Sequence, residues 1–374
     1  MRILPFLAAY LIGACFYLAG PSAPPLRAAQ RATQDEAQKI PNRAENPDEL
    51  IRRADAMRQR GDTAAAEQAL QQAIRIHPES IEANDALGEL LLSQRRYSEA
   101  MDRFEAVLTR SAHDPRASAG EQKAAITLAL QARQAGKGNE VLIQLQRARV
   151  VLPDDLTLLV DLGIQAQSMH QLPFAADALK DALKISPSDP RALYAAARVE
   201  MDQEHFDEAE KHFHAYLAQR PNDASAHYGL GHLFQMQLRT ADARAEFECS
   251  IALQPVQTES YYQLGQMALE AGHDDEAARM FAKALSRMPT HGGALTGVGI
   301  LAFRAKNYAA ARDSLTKAVA AAPDYQPAHY YLGLSLRRLG DKEGSARELK
   351  IAVDLAAKQQ GKGKPAYVIT APPN

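Results

Sequence analysis

The sequence predicts an all-α chain built from one helix-turn-helix unit copied many times, and three residue series carry that reading. Prolines recur at Pro153, Pro187, Pro221, Pro255, Pro289 and Pro323, each 34 residues after the last. Small residues keep the same step at Gly163, Ala197, Gly231, Gly265, Gly299 and Gly333, and again at Ala175, Ala209, Ala243, Ala277, Ala311 and Ser345. An apolar series follows at Leu179, Phe213, Phe247, Phe281, Leu315 and Leu349. One step shared by three chemically different classes marks a supersecondary unit that cannot bury its apolar face alone and must stack on its neighbours. Composition agrees: 46% hydrophobic residues with only 6% aromatic and no Trp suit packed helices better than sheets.

The stretch "YYQLGQMALEAGHDDEAARMFAKALSRMP", Tyr261 to Pro289, shows how one unit is expected to work. Leu264 and Gly265 let the first helix, A, approach its neighbour, and Gly272 opens the turn. Ala277 permits close packing of the second helix, B, Phe281 and Ala284 fill the seam, and Pro289 cannot continue a helix. These residues resemble the tetratricopeptide repeat family, whose unit has this length. The resemblance implies a right-handed superhelical solenoid with a concave groove lined mainly by helix A.

Counting by the series yields about nine repeats over 47–359, at 47–80, 81–114, 117–155, 156–189, 190–223, 224–257, 258–291, 292–325 and 326–359. The first is atypical, with Arg53 and Ala54 in place of Leu-Gly, and so is the third, with Val141 in place of Ala. Ala66 and Ala100 keep the step, but Val141 lies 41 residues after Ala100, so seven extra residues have entered around His113 to Glu121. Seven residues make about two helical turns. Asp114 as N-cap and Pro115 at the first helical position would therefore lengthen helix A without rotating its apolar face; a longer loop is the other reading. Residues 27–46 read as a polar linker and 360–374, "QGKGKPAYVITAPPN", as a Gly/Pro-punctuated flexible tail.

Met1 and Arg2 precede an apolar run from Ile3 to Ala19, so 1–26 reads as a signal peptide, a lipoprotein signal or a membrane anchor. The run "IGAC" resembles a bacterial lipoprotein box that would place lipid on Cys15. Each reading puts the remainder in the cell envelope, outside the cytoplasm, with membrane contact only through the N-terminal segment. Cys15 and Cys249 are the sole cysteines, which excludes a disulfide framework. Cys249, in "FECSIAL", reads as a small buried hydrophobe.

In the family the fifth and ninth residues of helix A tend to face the groove. The resemblance thereby implies three zones. The first two repeats would be acidic, through Asp55, Asp85 and Glu89, and the next two apolar, through Ile126, Leu130, Val160 and Ile164. The C-terminal half would carry a tyrosine ladder of Tyr194, Tyr228, Tyr262 and Tyr330 interleaved with Arg198, His232, Gln266, Arg304, Arg337 and Arg338. The Asn ladder and carboxylate clamp of other members use Asn or Lys on helix A, and neither residue type stands at the groove positions here. A net charge of -2 offers no basic stripe for nucleic acid. Phosphate loops, dinucleotide fingerprints, nucleophile elbows and zinc-protease helices are absent, so no enzyme and no cofactor is expected. The best metal grouping, His205, Glu208, His212 and His214, falls on the outward face of a helix B and reads as solvated charge. The expected function is a non-enzymatic scaffold of the cell envelope that binds a protein or peptide in its groove. The alternative is an assembly or export lipoprotein of pilus, outer-membrane or exopolysaccharide machinery.

Overall fold

The computed structural model describes residues 46–360. The leader with Cys15, nearly all of the linker and the tail beyond Gln360 lie outside the described residues. Among those described there are eighteen helices and no strand, and they fall into nine A/B pairs. The pairs are α1 (Pro47–Gln59) with α2 (Thr63–Ile76), α3 (Ile81–Ser93) with α4 (Tyr97–Leu108), and α5 (Pro115–Gln134) with α6 (Gly138–Val151). There follow α7 (Leu156–Ser168) with α8 (Leu172–Ile185), α9 (Pro190–Asp202) with α10 (Phe206–Gln219), and α11 (Ala224–Met236) with α12 (Thr240–Leu253). The last three are α13 (Thr258–Glu270) with α14 (Asp274–Arg287), α15 (Gly292–Arg304) with α16 (Tyr308–Ala321), and α17 (Gln326–Arg338) with α18 (Lys342–Gln360). No described helix is long and apolar enough to cross a membrane.

The repeat units meet the expected periods because each series performs one job. Asp155, Asp189 and Asp223 accept hydrogen bonds from the first backbone N–H groups of α7, α9 and α11, satisfying donors that a helix start leaves open. In the A-to-B turns one residue per repeat enters the left-handed region. Gly61, Gly136, Gly272 and Gly340 do so at no steric cost, but Arg95, His170, Glu204, Leu238 and Lys306 also do. The seven-residue insertion is helix, not loop. Asp114 caps Arg116 and Ala117, Pro115 takes the first position, and α5 runs for 20 residues where α7 runs for 13.

Two compact units divide at Leu87/Gly88. In the first, Leu50, Ala73 and Ala83 form a small core against Ile51 and Ile74. In the second, the glycine and aromatic series turn out to be one contact. A Cβ placed on Gly265 would stand 2.6 Å from the Phe281 ring, and one on Gly297 of the next helix A 2.3 Å from the same ring. Phe281 is fully buried because two helices A lie close enough to touch both of its faces. Gly88 and Gly120 enclose Phe104 likewise, and Gly163 admits Leu179. Several successive helices A touch one another, α7 with α9, α9 with α11, α13 with α15 and α15 with α17. Helices B are tied instead by ion pairs across their seams: Arg147 to Asp102 and Glu105, Arg149 to Asp181, and Arg244 to Glu276. Two further fastenings are three repeats apart. His227 stands between Glu246 Oε2 (2.6 Å) and the Pro221 carbonyl (2.9 Å), and His329 stands between Glu348 Oε2 (2.6 Å) and the Pro323 carbonyl (2.8 Å).

Candidate functional site

Helix A cannot bury its whole circumference: one side meets its own helix B, the flanks meet neighbouring helices A, and a stripe is left less covered. The four ladder tyrosines lie half-buried along that stripe in the second unit. Each rests on an aromatic ring beneath or beside it. Tyr194 stands edge-on to Phe213 at 6.0 Å and beside Tyr216 at 5.2 Å, Tyr228 rests on Phe247 at 5.8 Å, and Tyr262 on Phe281 at 6.3 Å. Tyr330 meets Tyr331 at 5.4 Å, nearly perpendicular. The same Phe series that fills the core thus props up three of the four half-buried rings, which fixes their orientation before any ligand arrives. Burial pushes the Tyr194 and Tyr228 hydroxyls above the usual phenol range and holds His232, stacked 6.4 Å from Tyr228, below the usual imidazole range. Neutral, amphipathic side chains therefore line the centre of the stripe.

The other expected residues divide. Leu130 and Ile164 are open to solvent, 49% and 38% exposed, and Ile126 is half-buried beside them. Val160 is corrected: at 1% exposure it packs with Leu159, Ala182 and Ala192 inside the core, because α7 turns that position toward α8 and α9. Asp85 is likewise buried and adds no open acidic surface. Arg198 is exposed, and Gln266 is half-buried. Arg304 is occupied, donating to the Leu269 carbonyl (2.9 Å) and to Asp274 (2.8 Å), so it fastens α15 to the preceding repeat. Tyr262 reaches the Tyr325 hydroxyl at 3.4 Å and lies 4.8 Å from His291, whose Nδ1 accepts from Ala294 N and whose Nε2 faces Glu259. Arg337 and Arg338 line a hollow of about 420 Å³ with Phe303, Tyr330 and Leu334.

Away from the stripe, His205, Glu208 and His212 line one hollow beside α8 and α9, and His214 is not part of it. His212 lies 2.7 Å from Glu200, and His214 sits 3.7 Å from Glu210. No set of three or more His, Cys, Asp or Glu among the described residues is arranged to hold a metal. Cys249 is half-buried rather than fully buried, and burial pushes its thiol up, away from a reactive thiolate.

Two residues that the helix A pattern passes over belong to the stripe. Tyr216 comes from helix B and Arg220 from the cap after it, and both line a pocket of about 210 Å³ with Ile164, Tyr194 and Arg198. Neither stands at a groove register of helix A, so only their proximity reveals them.

Two tetratricopeptide repeat models match the chain, one over residues 57–124 and 170–233 and the other over 262–326 and 299–360, together more than half of its length. The chain belongs to the tetratricopeptide repeat family. Among solved structures, this repeat protein is similar to MamA 41-end from Desulfovibrio magneticus RS-1, at 20% identity and TM-score 0.42, over 46% of this chain and 97% of that one. It is similar to YrrB, described as a TPR protein with an unusual peptide-binding site, at 24% identity and TM-score 0.39, over 49% of this chain and 95% of that one. It is also similar to Pseudomonas aeruginosa pilF, at 17% identity and TM-score 0.49, over 63% of this chain and 99% of that one. No curated protein matches it. Tetratricopeptide repeat proteins act as protein-protein interaction scaffolds, and the fold is generally non-catalytic.

Proposed function

We propose that the repeat protein is a non-enzymatic scaffold of the cell envelope that holds a protein or peptide segment along its helix A stripe. The observation that supports this most directly is the row of half-buried tyrosines propped on core rings, joined by Ile164, which shares a pocket with Tyr194. Rigid aromatic rings bury area at little entropic cost, and apolar surface of this kind is what binding sites expose. Because the rings are already oriented, a bound segment gains many modest contacts without first ordering the receptor.

The test is binding of a captured peptide to a Tyr194→Ala, Tyr228→Ala, Tyr262→Ala triple variant. Affinity should fall by about a hundredfold or more, as three aromatic contacts of about 1 kcal/mol each are lost. Unchanged affinity with helicity intact would reject the groove as the site.

The stretch Ile12 to Cys15 favours a second reading, an assembly or export lipoprotein tethered through Cys15. Mass spectrometry of the mature N-terminus decides it: a diacylglycerol-modified cysteine supports the tether, cleavage beyond Ala19 supports a secreted protein, and an intact Met1 argues for an anchor.

A further inference from the structure

The pocket of about 210 Å³ opens between α7, α9 and the end of α10. Its walls are apolar and aromatic, from Ile164, Pro190, Tyr194 and Tyr216, and every charged side chain on its lining is an arginine. Those arginines differ in what they already hold. Arg191 is paired with Asp161. Arg198 and Arg220 are exposed and make no ion pair or side-chain hydrogen bond among the described residues.

Of the nearby carboxylates, Asp223 feels the charge of Arg220, but both it and Asp202 spend their hydrogen bonds on other donors. Asp223 accepts from Ser225 N (2.9 Å) and Ala226 N (3.2 Å) through one oxygen and from the Tyr216 hydroxyl (2.5 Å) through the other. Asp202 accepts from Gln167 at 2.8 Å. The Tyr216 to Asp223 bond has a further effect: it fixes the ring that walls the pocket and turns Asp223 toward the start of α11.

Size narrows the occupant. Small-molecule sites generally enclose about 300–1,000 Å³, so this pocket holds one side chain of a longer segment rather than a metabolite. Two guanidinium groups with vacant donors call for a carboxylate, which each can meet through its planar fork. The apolar walls call for methylenes ahead of that carboxylate. We propose that this pocket receives a glutamate side chain of the bound segment, its methylenes against Ile164, Tyr194 and Tyr216 and its carboxylate shared between Arg198 and Arg220. The proposal rests on the groove reading above and assigns it a chemistry: the partner carries a glutamate at the position that crosses the fifth repeat. Arg220 is essential to it and comes from the cap of a helix B.

Random peptides displayed on phage, selected on the full chain, provide the probe. Selected peptides should share a glutamate. Exchange of that residue for glutamine should weaken binding about tenfold or more, the scale of a charged hydrogen bond, and so should Arg198→Gln with Arg220→Gln in the protein. Both arginines are exposed, so the double variant should keep its helicity and thermal midpoint. Peptides without a shared glutamate, or with equal affinity for the double variant, would overturn the pocket assignment while leaving the groove reading standing. If no peptide is enriched, both readings fall.

Discussion

Glu121 is a side chain whose surroundings fit its charge poorly. It is fully buried on α5, with neither oxygen hydrogen-bonded, next to Glu105 and Asp102 of α4, which already share Arg147 of α6. Burial, with Glu105 and Asp102 adding repulsion that Arg147 only partly offsets, pushes its carboxyl up to about 8 from the ordinary 4.5. The folded chain therefore holds a proton that the unfolded chain releases. Stability from this group is full below about 4.5 and declines as pH rises toward about 8, above which it is lost. At about 1.4 kcal/mol per unit the loss is a few kcal/mol. Urea denaturation at pH 5, 7 and 9 should show wild type weakening relative to Glu121→Gln across that window, and parallel profiles would disprove the assignment. The left-handed turn positions offer a second comparison. Gly272→Ala should cost about 1 kcal/mol, whereas Leu238→Gly, at φ 61 and almost wholly exposed, should cost nothing because it removes side-chain strain. Thermal denaturation of the two variants checks both signs.

Among the elements, α5 departs most from its counterparts, and its extra length was open to two readings in sequence. Asp114, Pro115 and an insertion of about two turns are compatible with a longer helix that keeps its apolar face in register, and the structure takes that course. Asp114→Ala should cost about 1 kcal/mol, since the amides of Arg116 and Ala117 lose their acceptor. Hydrogen exchange should place the loss in the first turn of α5, and uniform loss along the helix would contradict the capping role. The stripe shows the opposite limit. Val160 occupies the same register as Tyr194 and Tyr228 yet is buried, because its compact side chain is covered by Leu159, Ala182 and Ala192 while a tyrosine at that register reaches partly outside.

Across the whole molecule, stability is built from repeats and their interfaces, so damage should remain near its source. Phe281→Ala removes a ring enclosed by Gly265 and Gly297, and about 3–5 kcal/mol with it. Hydrogen exchange should rise in α13 to α16 while α5 to α8 keep their protection, and loss of protection in every helix together would show a single cooperative unit instead. The groove is a property of the same scale, since its chemistry changes from open apolar side chains in the third and fourth repeats to propped aromatic rings and arginines beyond them.

The sequence by itself determined the helices, the repeat step, the small-residue positions and the family. Those features are local or periodic: a proline suits a helix start or the connection after its end but not its interior, and a glycine facing a phenylalanine 16 residues later recurs in successive copies. Only the tertiary structure decided which stripe residues remain open, that Arg304 is occupied by Asp274, and that Tyr216 and Arg220 close a pocket around Tyr194. Side-chain size and pairings between repeats set those outcomes, and residues from different helices share a surface without sharing a period.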